Sequence, residues 1–293
     1  MPVGRWCGLV HLPNYGKLTP KTQFLRENPM SELLPPETIT EFRSTGATVL
    51  RGVFSDWIET LRAGVAANMA DPAPNARNYD TQEGGRFFVD YCNWDRIDGY
   101  REFIFNSPAA AIGRQLMGSD TVQLFHEHVL VKTPKAGIPT PWHQDQPYYS
   151  VAAAQTVSIW IPLDPIPRDR TLEFISGSHL WGKHYRPQRF DGTALNENDG
   201  LEELPDIDGN RKDFDIIAWP LELGDAVAFD YRTVHGAPPN NSTEDRRAFS
   251  LRLVGDEARW VKRDGVVTSP PFPGVALADG DALRGEAFPV LGS

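Results

Sequence analysis

The sequence contains only two cysteines in 293 residues, Cys7 and Cys92, and they do not form a C-x-x-C pair. A disulfide framework and a thiolate zinc site are therefore excluded as the basis of the fold. Cysteine usage of this kind is typical of a reducing compartment. Because the N-terminal segment also lacks the continuous apolar run of a signal peptide, we expect a cytoplasmic protein.

Two further absences narrow the range of partners. No apolar run approaches the length that a bilayer requires, so we expect no membrane partner. The formal net charge is −10 and no Lys/Arg cluster interrupts it, which argues against binding to nucleic acid. The apolar fraction of 40% is enough for a substantial core.

The first third of the chain carries helix signals. Pro35 and Pro36 predict a helix start, and Gly46 predicts its stop. Apolar residues at spacings of three and four predict a second helix over 58–69, and a third is predicted over 107–117, with a glycine just past its end.

From Val122 onward the chain shows short β-branched and aromatic runs separated by Pro, Gly and Asp, as in "VQLFHEHVLVK", "QTVSIWIPL" and "RAFSLRLV". Several short strands without intervening helices predict an antiparallel sandwich or barrel. Residues 181–219 interrupt this pattern, and we expect a long excursion of the kind that often forms a lid or binds substrate. The predicted organisation is one domain over 1–293, with a helix-rich part (1–120) packing on the core, a β core (121–265) and a C-terminal tail (266–293).

One short motif carries metal-ligand chemistry. In "PWHQDQPYY", His143 and Asp145 are two residues apart, which on an extended segment puts both side chains on one face. Such a pair is common by chance in ordinary polar turns. His235, which follows a distant predicted strand, offers a third ligand, and two histidines with one carboxylate are the arrangement of non-haem Fe(II) oxygenases.

Five segments taken together resemble the phytanoyl-CoA dioxygenase family of Fe(II)/2-oxoglutarate-dependent oxygenases. They are "PWHQDQPYY", "VSIWIPLD", "LEFISGSHLWG", "LELGDAVAFDYRTVHGAP" and "RRAFSLRL", and the resemblance covers roughly Leu34 to Val254. It implies a mainly β fold with flanking helices around a double-stranded β-helix (jelly-roll, cupin-like) core. It also implies that Fe(II) is held, and catalysis carried, by His143, Asp145 and His235.

The same resemblance implies a reaction and its cofactors. The cofactors are Fe(II), 2-oxoglutarate as cosubstrate, and O2. A small organic substrate is hydroxylated while 2-oxoglutarate is decarboxylated to succinate and CO2. Relatives that halogenate have a small residue in place of the carboxylate ligand, so the presence of Asp145 favours hydroxylation.

Cosubstrate residues are carried over by position. Arg246 lies eleven residues after His235, where the family places an arginine that binds the distal carboxylate of 2-oxoglutarate; a guanidinium suits this role because it binds carboxylates bidentately and stays charged when buried. Its neighbour Arg247 is expected on the opposite face. Trp160 matches a family aromatic that lies against the cosubstrate, although a buried strand tryptophan needs no such role.

Candidate substrate residues follow from side-chain alternation. In the run 122–132, the face carrying Glu127 is the more apolar one, so we expect it to point into the barrel. There Glu127 would bind a cationic or hydroxyl-bearing substrate, or pair with a basic neighbour. His126 and His128, on the other face, are interpreted as structural.

Three more residues complete the predicted substrate site. Arg252 and Ser250 share the face of Arg246, and Arg252 would hold an anionic substrate group or neutralise Glu127. Tyr149 is a candidate wall.

An alternative function is a cupin-like jelly-roll protein that binds metal but does not use 2-oxoglutarate, either as another metalloenzyme or as a noncatalytic ligand-binding module. Arg246 discriminates between the two, since such a protein has no need for a buried arginine there.

Overall fold

The structure is a computed structural model, and it describes residues 33–197, 199–263 and 265–292. Cys7 lies outside these residues, and Cys92 is a free thiol. The helices are α1 (Pro36–Thr45), α2 (Ile58–Ala70), α3 (Asp98–Asn106) and α4 (Ala109–Met117). The strands are β1 (Ala47–Leu50), β2 (Arg77–Asp80), β3 (Arg86–Tyr91), β4 (Val122–Lys132), β5 (Thr140–His143), β6 (Val151–Ala152), β7 (Thr156–Pro162), β8 (Glu173–Ile175), β9 (Ile216–Ile217), β10 (Ala226–Phe229), β11 (His235–Ala237), β12 (Arg246–Val254), β13 (Arg259–Trp260) and β14 (Val290–Gly292).

Two antiparallel sheets form the body of the protein. The large sheet has the order β1-β10-β7-β12-β4-β3-β2, with β14 also paired to β4. The small sheet has the order β5-β11-β8-β9, and β13 and β6 form a separate pair. The predicted mainly β sandwich with flanking helices is therefore confirmed. Within the described residues, no helix is long and apolar enough to cross a membrane.

The large sheet is buried on both faces. On β7, Val157 and Ile159 belong to the core shared with the helices, whereas Trp160 belongs to the core between the sheets. On β12, Phe249 lies against the helix layer, with its ring 5.5 Å from that of Phe103 of α3. The helices thus cover one face of the large sheet and leave the other face free to build a site.

The predicted helix ends are confirmed. Pro36 starts α1, and the helix stops at Gly46, which has a left-handed φ of 84°; α4 stops in the same way at Gly118, with a φ of 62°. α3 was not predicted from the sequence, although its buried residues Tyr100, Phe103 and Ile104 have helical spacing. The hairpin of β2 and β3, which extends the large sheet, was not predicted either. The division into helix-rich part, core and tail stays a prediction.

Gly46 provides a test of this packing. A Cβ at this position would collide with Thr233 Oγ1 and His179 Nδ1, whereas one at Gly182, also at positive φ (67°), would have no atom within 4 Å. We expect Gly182→Ala to lower the free energy of unfolding by about 1 kcal/mol through backbone strain alone. Gly46→Ala should cost about 3 kcal/mol because overpacking is added. Urea unfolding of both variants measures this, and equal losses would contradict the packing.

Candidate metal centre and its cavity

A cavity of about 250 Å³ lies between the two sheets. Its walls come from β2, β3, β4, β7 and β12 of the large sheet and from β5 and β11 of the small one. This volume is near the low end for small-molecule sites. The wall includes His143, Asp145, His235, Arg246 and Trp160. The structure therefore brings all the predicted metal and cosubstrate residues to one cavity.

Strand pairing brings the three predicted metal ligands together. His143 at the end of β5 lies directly opposite His235 at the start of β11, and their ring centroids are 4.2 Å apart. His143 Nε2 is 3.7 Å from Asp145 Oδ1, and one ligand atom from each of the three residues lies within 4.8 Å of the others. Atoms bonded to one ion at about 2 Å lie no more than about 4 Å apart, so a slight closing of the three side chains brings their ligand atoms onto a single ion.

Asp145 reaches the site differently from the sequence prediction. Only His143 is in an extended strand; Asp145 has αR backbone angles (φ −70°, ψ −42°) and begins a short 3-10 turn over Gln146–Tyr148. The turn, rather than alternation along a strand, directs the carboxylate toward the two histidines. Gln144, between the ligands, donates from its amide to the carbonyl oxygen of Arg232 at 2.8 Å and anchors the turn.

Backbone carbonyls fix the orientation of both imidazoles. His143 Nδ1 is 2.7 Å from the carbonyl oxygen of Pro141, and His235 Nδ1 is 3.0 Å from that of Thr233. A carbonyl oxygen only accepts, so each Nδ1 carries the proton and each Nε2 keeps a lone pair for a metal. Burial lowers the pKa of both rings, that of His235 to about 3, so both stay neutral as ligands must.

The carboxylate of Asp145 is held in its ionised form. Burial alone would raise its pKa, but Arg252, the two neighbouring imidazoles and a hydrogen bond from Ser158 together hold it well below its usual value. Ser158 Oγ donates to Asp145 Oδ2 at 2.9 Å, and Arg252 Nη2 lies 3.4 Å from the same oxygen. Oδ1 is directed toward the histidines, so the centre combines two neutral nitrogen donors with one anionic oxygen donor.

Arg246 lies at one end of the cavity without a carboxylate partner. Its guanidinium donates to the carbonyl oxygens of Arg170, at 2.5 Å, and Pro238, at 2.9 Å. Among the described residues no acidic side chain is within ion-pair distance, and burial lowers the pKa of Arg246 to about 10. Arg247 points the other way, as expected, and pairs with Asp164 at 2.6 Å.

Lys132, which was not predicted from the sequence as a site residue, lies beside Arg246. The two residues are directly opposed on β4 and β12, and Lys132 is 3% exposed. Its ammonium donates to Thr140 Oγ1 at 3.1 Å and lies 4.6 Å from the centroid of the Phe87 ring. Burial and the nearby Arg246 lower its pKa well below the usual value. Two adjacent buried cations without an acid are costly unless an anion binds there.

The predicted orientation of β4 is wrong. His126, His128 and Lys132 line the cavity, and Glu127 lies on the opposite face, toward the helices. β4 also contains a bulge. Arg252 pairs with His126 but Leu253 pairs with Leu124, so Phe125 has no partner on β12 and the alternation of side chains breaks there. The apolar face was the wrong choice because helices cover the outer face and the inner face must contact polar ligands.

Glu127 is therefore not a substrate residue. It is fully buried, and one of its carboxylate oxygens accepts from the backbone N–H of Asn93. Burial, together with the carboxylates of Asp90 and Asp95, raises its pKa to about 8. Arg252 does not neutralise it, since Arg252 points into the cavity and contacts Asp145.

The other predicted substrate residues have mixed positions. Tyr149 lines the cavity, and its hydroxyl accepts from Arg252 Nε at 3.1 Å. Arg252 is 5% exposed and also lines the cavity. Ser250 is fully buried between His128 and Trp160 of the adjacent strands and is not among the described residues of the cavity wall.

Two segments outside the sheets complete the cavity mouth. One belongs to the 181–219 excursion and the other, residues 267–271, to the C-terminal tail. Both are joined to Tyr148: its hydroxyl donates to the carbonyl oxygen of Gln188 at 2.6 Å, and its carbonyl oxygen accepts from the Ser269 N–H at 2.9 Å. Because Tyr148 packs 5.6 Å from the His143 ring, the mouth is tied directly to the metal centre.

Comparisons with known proteins agree with this geometry. The sequence profile of the phytanoyl-CoA dioxygenase (PhyH) family matches residues 42–248. A Dictyostelium discoideum protein, phytanoyl-CoA dioxygenase domain-containing protein 1 homolog, is 27% identical over 150 residues. That match spans 49% of this chain and 51% of the relative, so the chain matches about half of the relative's length.

Three solved structures of similar fold are of α-ketoglutarate-dependent enzymes or contain α-ketoglutarate (2-oxoglutarate). The carbocyclase SnoK has a TM-score of 0.68 at 22% identity, covering 90% of this chain and 99% of that one. The epimerase SnoN in complex with Fe3+, α-ketoglutarate and nogalamycin RO has a TM-score of 0.69 at 23% identity, covering 87% of this chain and 97% of that one. EctD from S. alaskensis with 2-oxoglutarate and 5-hydroxyectoine has a TM-score of 0.64 at 19% identity, covering 88% of this chain and 89% of that one. These likenesses confirm the predicted double-stranded β-helix.

Glu127 makes a specific pH prediction. An acid whose pKa rises from 4.5 unfolded to about 8 folded retains its proton in the folded state, so unfolding releases a proton between these values. The free energy of unfolding therefore falls as pH rises from 4.5 to 8, and below 4.5 the group contributes nothing. The Glu127→Gln variant cannot titrate at this position. Between pH 5 and 8 its free energy of unfolding should therefore rise by on the order of 3 kcal/mol relative to that of the unmodified protein. Urea unfolding at several pH values measures this, and a difference between the two proteins that does not change with pH would contradict it.

Proposed function

The chain belongs to the phytanoyl-CoA dioxygenase family, and from that premise we propose that it is an Fe(II)- and 2-oxoglutarate-dependent oxygenase that hydroxylates a small organic molecule. One observation carries the proposal. A three-residue metal centre and a pair of buried, uncompensated cations line the same cavity.

The donor set suits Fe(II). His143, Asp145 and His235 supply two neutral nitrogens and one carboxylate oxygen, which is the facial arrangement of non-haem Fe(II) oxygenases and leaves coordination positions open. When bound, the iron supplies oxygen activation. The residues around it hold the ligands in place: two carbonyl oxygens orient the rings, and Ser158 and Arg252 orient the carboxylate.

The cation pair suits the distal carboxylate of 2-oxoglutarate. Arg246 provides a planar fork for bidentate binding, and Lys132 lies opposite it, where a bound anion would favour the protonated, positively charged amine. Trp160 and Leu172 contribute apolar wall, which suits the methylene groups of a short dicarboxylate. SnoN and EctD are structures with this cosubstrate, so the same fold accommodates it elsewhere.

Hydroxylation is the proposed outcome, since Asp145 occupies the position that halogenating relatives leave open. The named neighbours include an epimerase and a carbocyclase, so the choice of outcome depends on how the substrate lies relative to the metal. The alternative of a metal-binding jelly-roll protein that does not use 2-oxoglutarate is less well supported, because it gives Arg246 and Lys132 no anion to bind.

An anaerobic titration tests the proposal. Adding Fe(II) and 2-oxoglutarate to the protein should produce the weak visible charge-transfer band of the metal chelate. Asp145→Ala should lose the band and abolish succinate formation, because a ligand is removed. If the unmodified protein shows neither the band nor succinate with candidate substrates, the proposed function fails.

A matched pair of variants tests the cosubstrate end. Arg246→Gln should raise the Kd for 2-oxoglutarate on the order of 100-fold, since a charge-assisted interaction is lost. Lys132→Met should raise it about tenfold. Arg247→Gln is the control: it is the neighbouring arginine, paired with Asp164 on the other face, and should leave the Kd unchanged. Anaerobic calorimetry measures all three, and an equal effect from Arg247→Gln would contradict the assignment.

A further inference from the structure

The cavity is strongly cationic. Among its described wall residues the only carboxylate is that of Asp145, which is a metal-ligand candidate. The basic residues of the wall are Arg77, Lys132, Arg170, Arg189, Arg246 and Arg252. Arg246 and Lys132 are assigned to the distal carboxylate of the cosubstrate, and its other carboxylate would bind at the iron. Fe(II), Asp145, Arg252 and that second carboxylate together still leave a net positive charge at the remaining end. A second anion would balance it.

Unpartnered polar atoms mark where such an anion would bind. Arg252 Nη1, His126 Nδ1 and His128 Nε2 are buried and have no hydrogen-bond partner among the described residues. Arg252 and His126 are directly opposed on β12 and β4, and the His126 and His128 ring centroids are 6.4 Å apart. Buried polar groups in native proteins are rarely left without a partner, so three in one wall indicate a ligand.

This group is separate from the cosubstrate end. Arg252 lies six residues beyond Arg246 on β12, and His126 lies six residues before Lys132 on β4, a strand length of about 20 Å. Asp145 contacts Arg252, so the metal centre adjoins the group. A substrate bound there would lie next to the iron, on the side away from the cosubstrate carboxylate.

Aromatic rings flank this group. The Tyr91 ring centroid is 5.7 Å from that of His128, and the Tyr149 ring centroid is 5.0 Å from that of His126. Phe87, by contrast, lies directly opposite Lys132, at the cosubstrate end. Tyr91, Tyr149, His126 and His128 all line the cavity. Such walls favour a ring-bearing or broadly apolar carbon skeleton over a small polar metabolite.

We propose that the primary substrate is a ring-bearing organic anion, whose acidic oxygen group (a carboxylate or phenolate) is bound by Arg252, His126 and His128 while its skeleton lies against the aromatic wall. This inference rests on the proposed function and names its substrate class. It also replaces the cationic substrate expected from Glu127, since that carboxylate does not face the cavity.

The test uses matched probes and the anaerobic Fe(II)·2-oxoglutarate complex. The probes are built on benzene, naphthalene and anthracene. Each ring system is prepared in four forms, bearing a carboxylate, a phenolic hydroxyl, a carboxamide or an aminomethyl group, and calorimetry gives the Kd of each probe. At least one acid should bind, about tenfold or more tighter than its carboxamide, and the amines should not compete. Arg252→Gln should weaken the acid at least tenfold and the carboxamide little, whereas Arg247→Gln should change neither.

The possible results distinguish failure of the substrate proposal from failure of the proposed function. If the band forms but no acid binds, or a carboxamide or amine binds as tightly as its acid, the substrate proposal is overturned. Arg252→Gln could lose the charge-transfer band because Asp145 has lost its partner. In that case the His128→Leu variant is used instead, and it should raise the Kd of the acid several-fold. An absent band in the unmodified protein is instead a failure of the proposed function.

Discussion

The site depends on the pairing of β5 with β11. This pairing sets His143 directly opposite His235, and the turn that follows β5 brings Asp145 within reach of both. A shift of one residue in either strand would send one imidazole to the other face of the small sheet. The carbonyl contacts of the two rings and the buried hydrogen bonds of Gln144 hold this register, so a few backbone interactions define the metal geometry.

Charge organises the rest of the cavity. Basic side chains enter it from β4 and β12, and the helices take the apolar face of the same strands. Desolvated cations without partners are unfavourable in an empty cavity, and their cost is recovered when an anion binds. A site of this kind favours anionic ligands over neutral ones. It does so on both sides of the metal centre, at Arg246 and Lys132 on one side and at Arg252 on the other.

The sequence alone predicted much of this arrangement. Strand pattern and motif spacing indicated the sandwich, and the spacing of His235 and Arg246 placed both in the cavity. The interior face of β4 was mispredicted for a physical reason: hydrophobicity marks burial, and the most apolar face here is buried under helices rather than around the ligand. The bulge at Phe125 has no signature in the residue pattern, but alternation from His126 to Lys132 is regular, so the wrong choice of face alone misplaced His126 and Glu127. Lys132 was overlooked because its partner, Arg246, lies more than a hundred residues away.

The central claim is that one iron binds at the three-residue centre with a dicarboxylate reaching the cation pair. Anomalous diffraction at the iron edge, on crystals grown anaerobically with Fe(II) and 2-oxoglutarate, tests it most directly. The account predicts a single iron peak about 2.0–2.3 Å from His143 Nε2, Asp145 Oδ1 and His235 Nε2, with the distal carboxylate at Arg246 and Lys132. Iron bound elsewhere, or a cosubstrate carboxylate directed away from this pair, would contradict it.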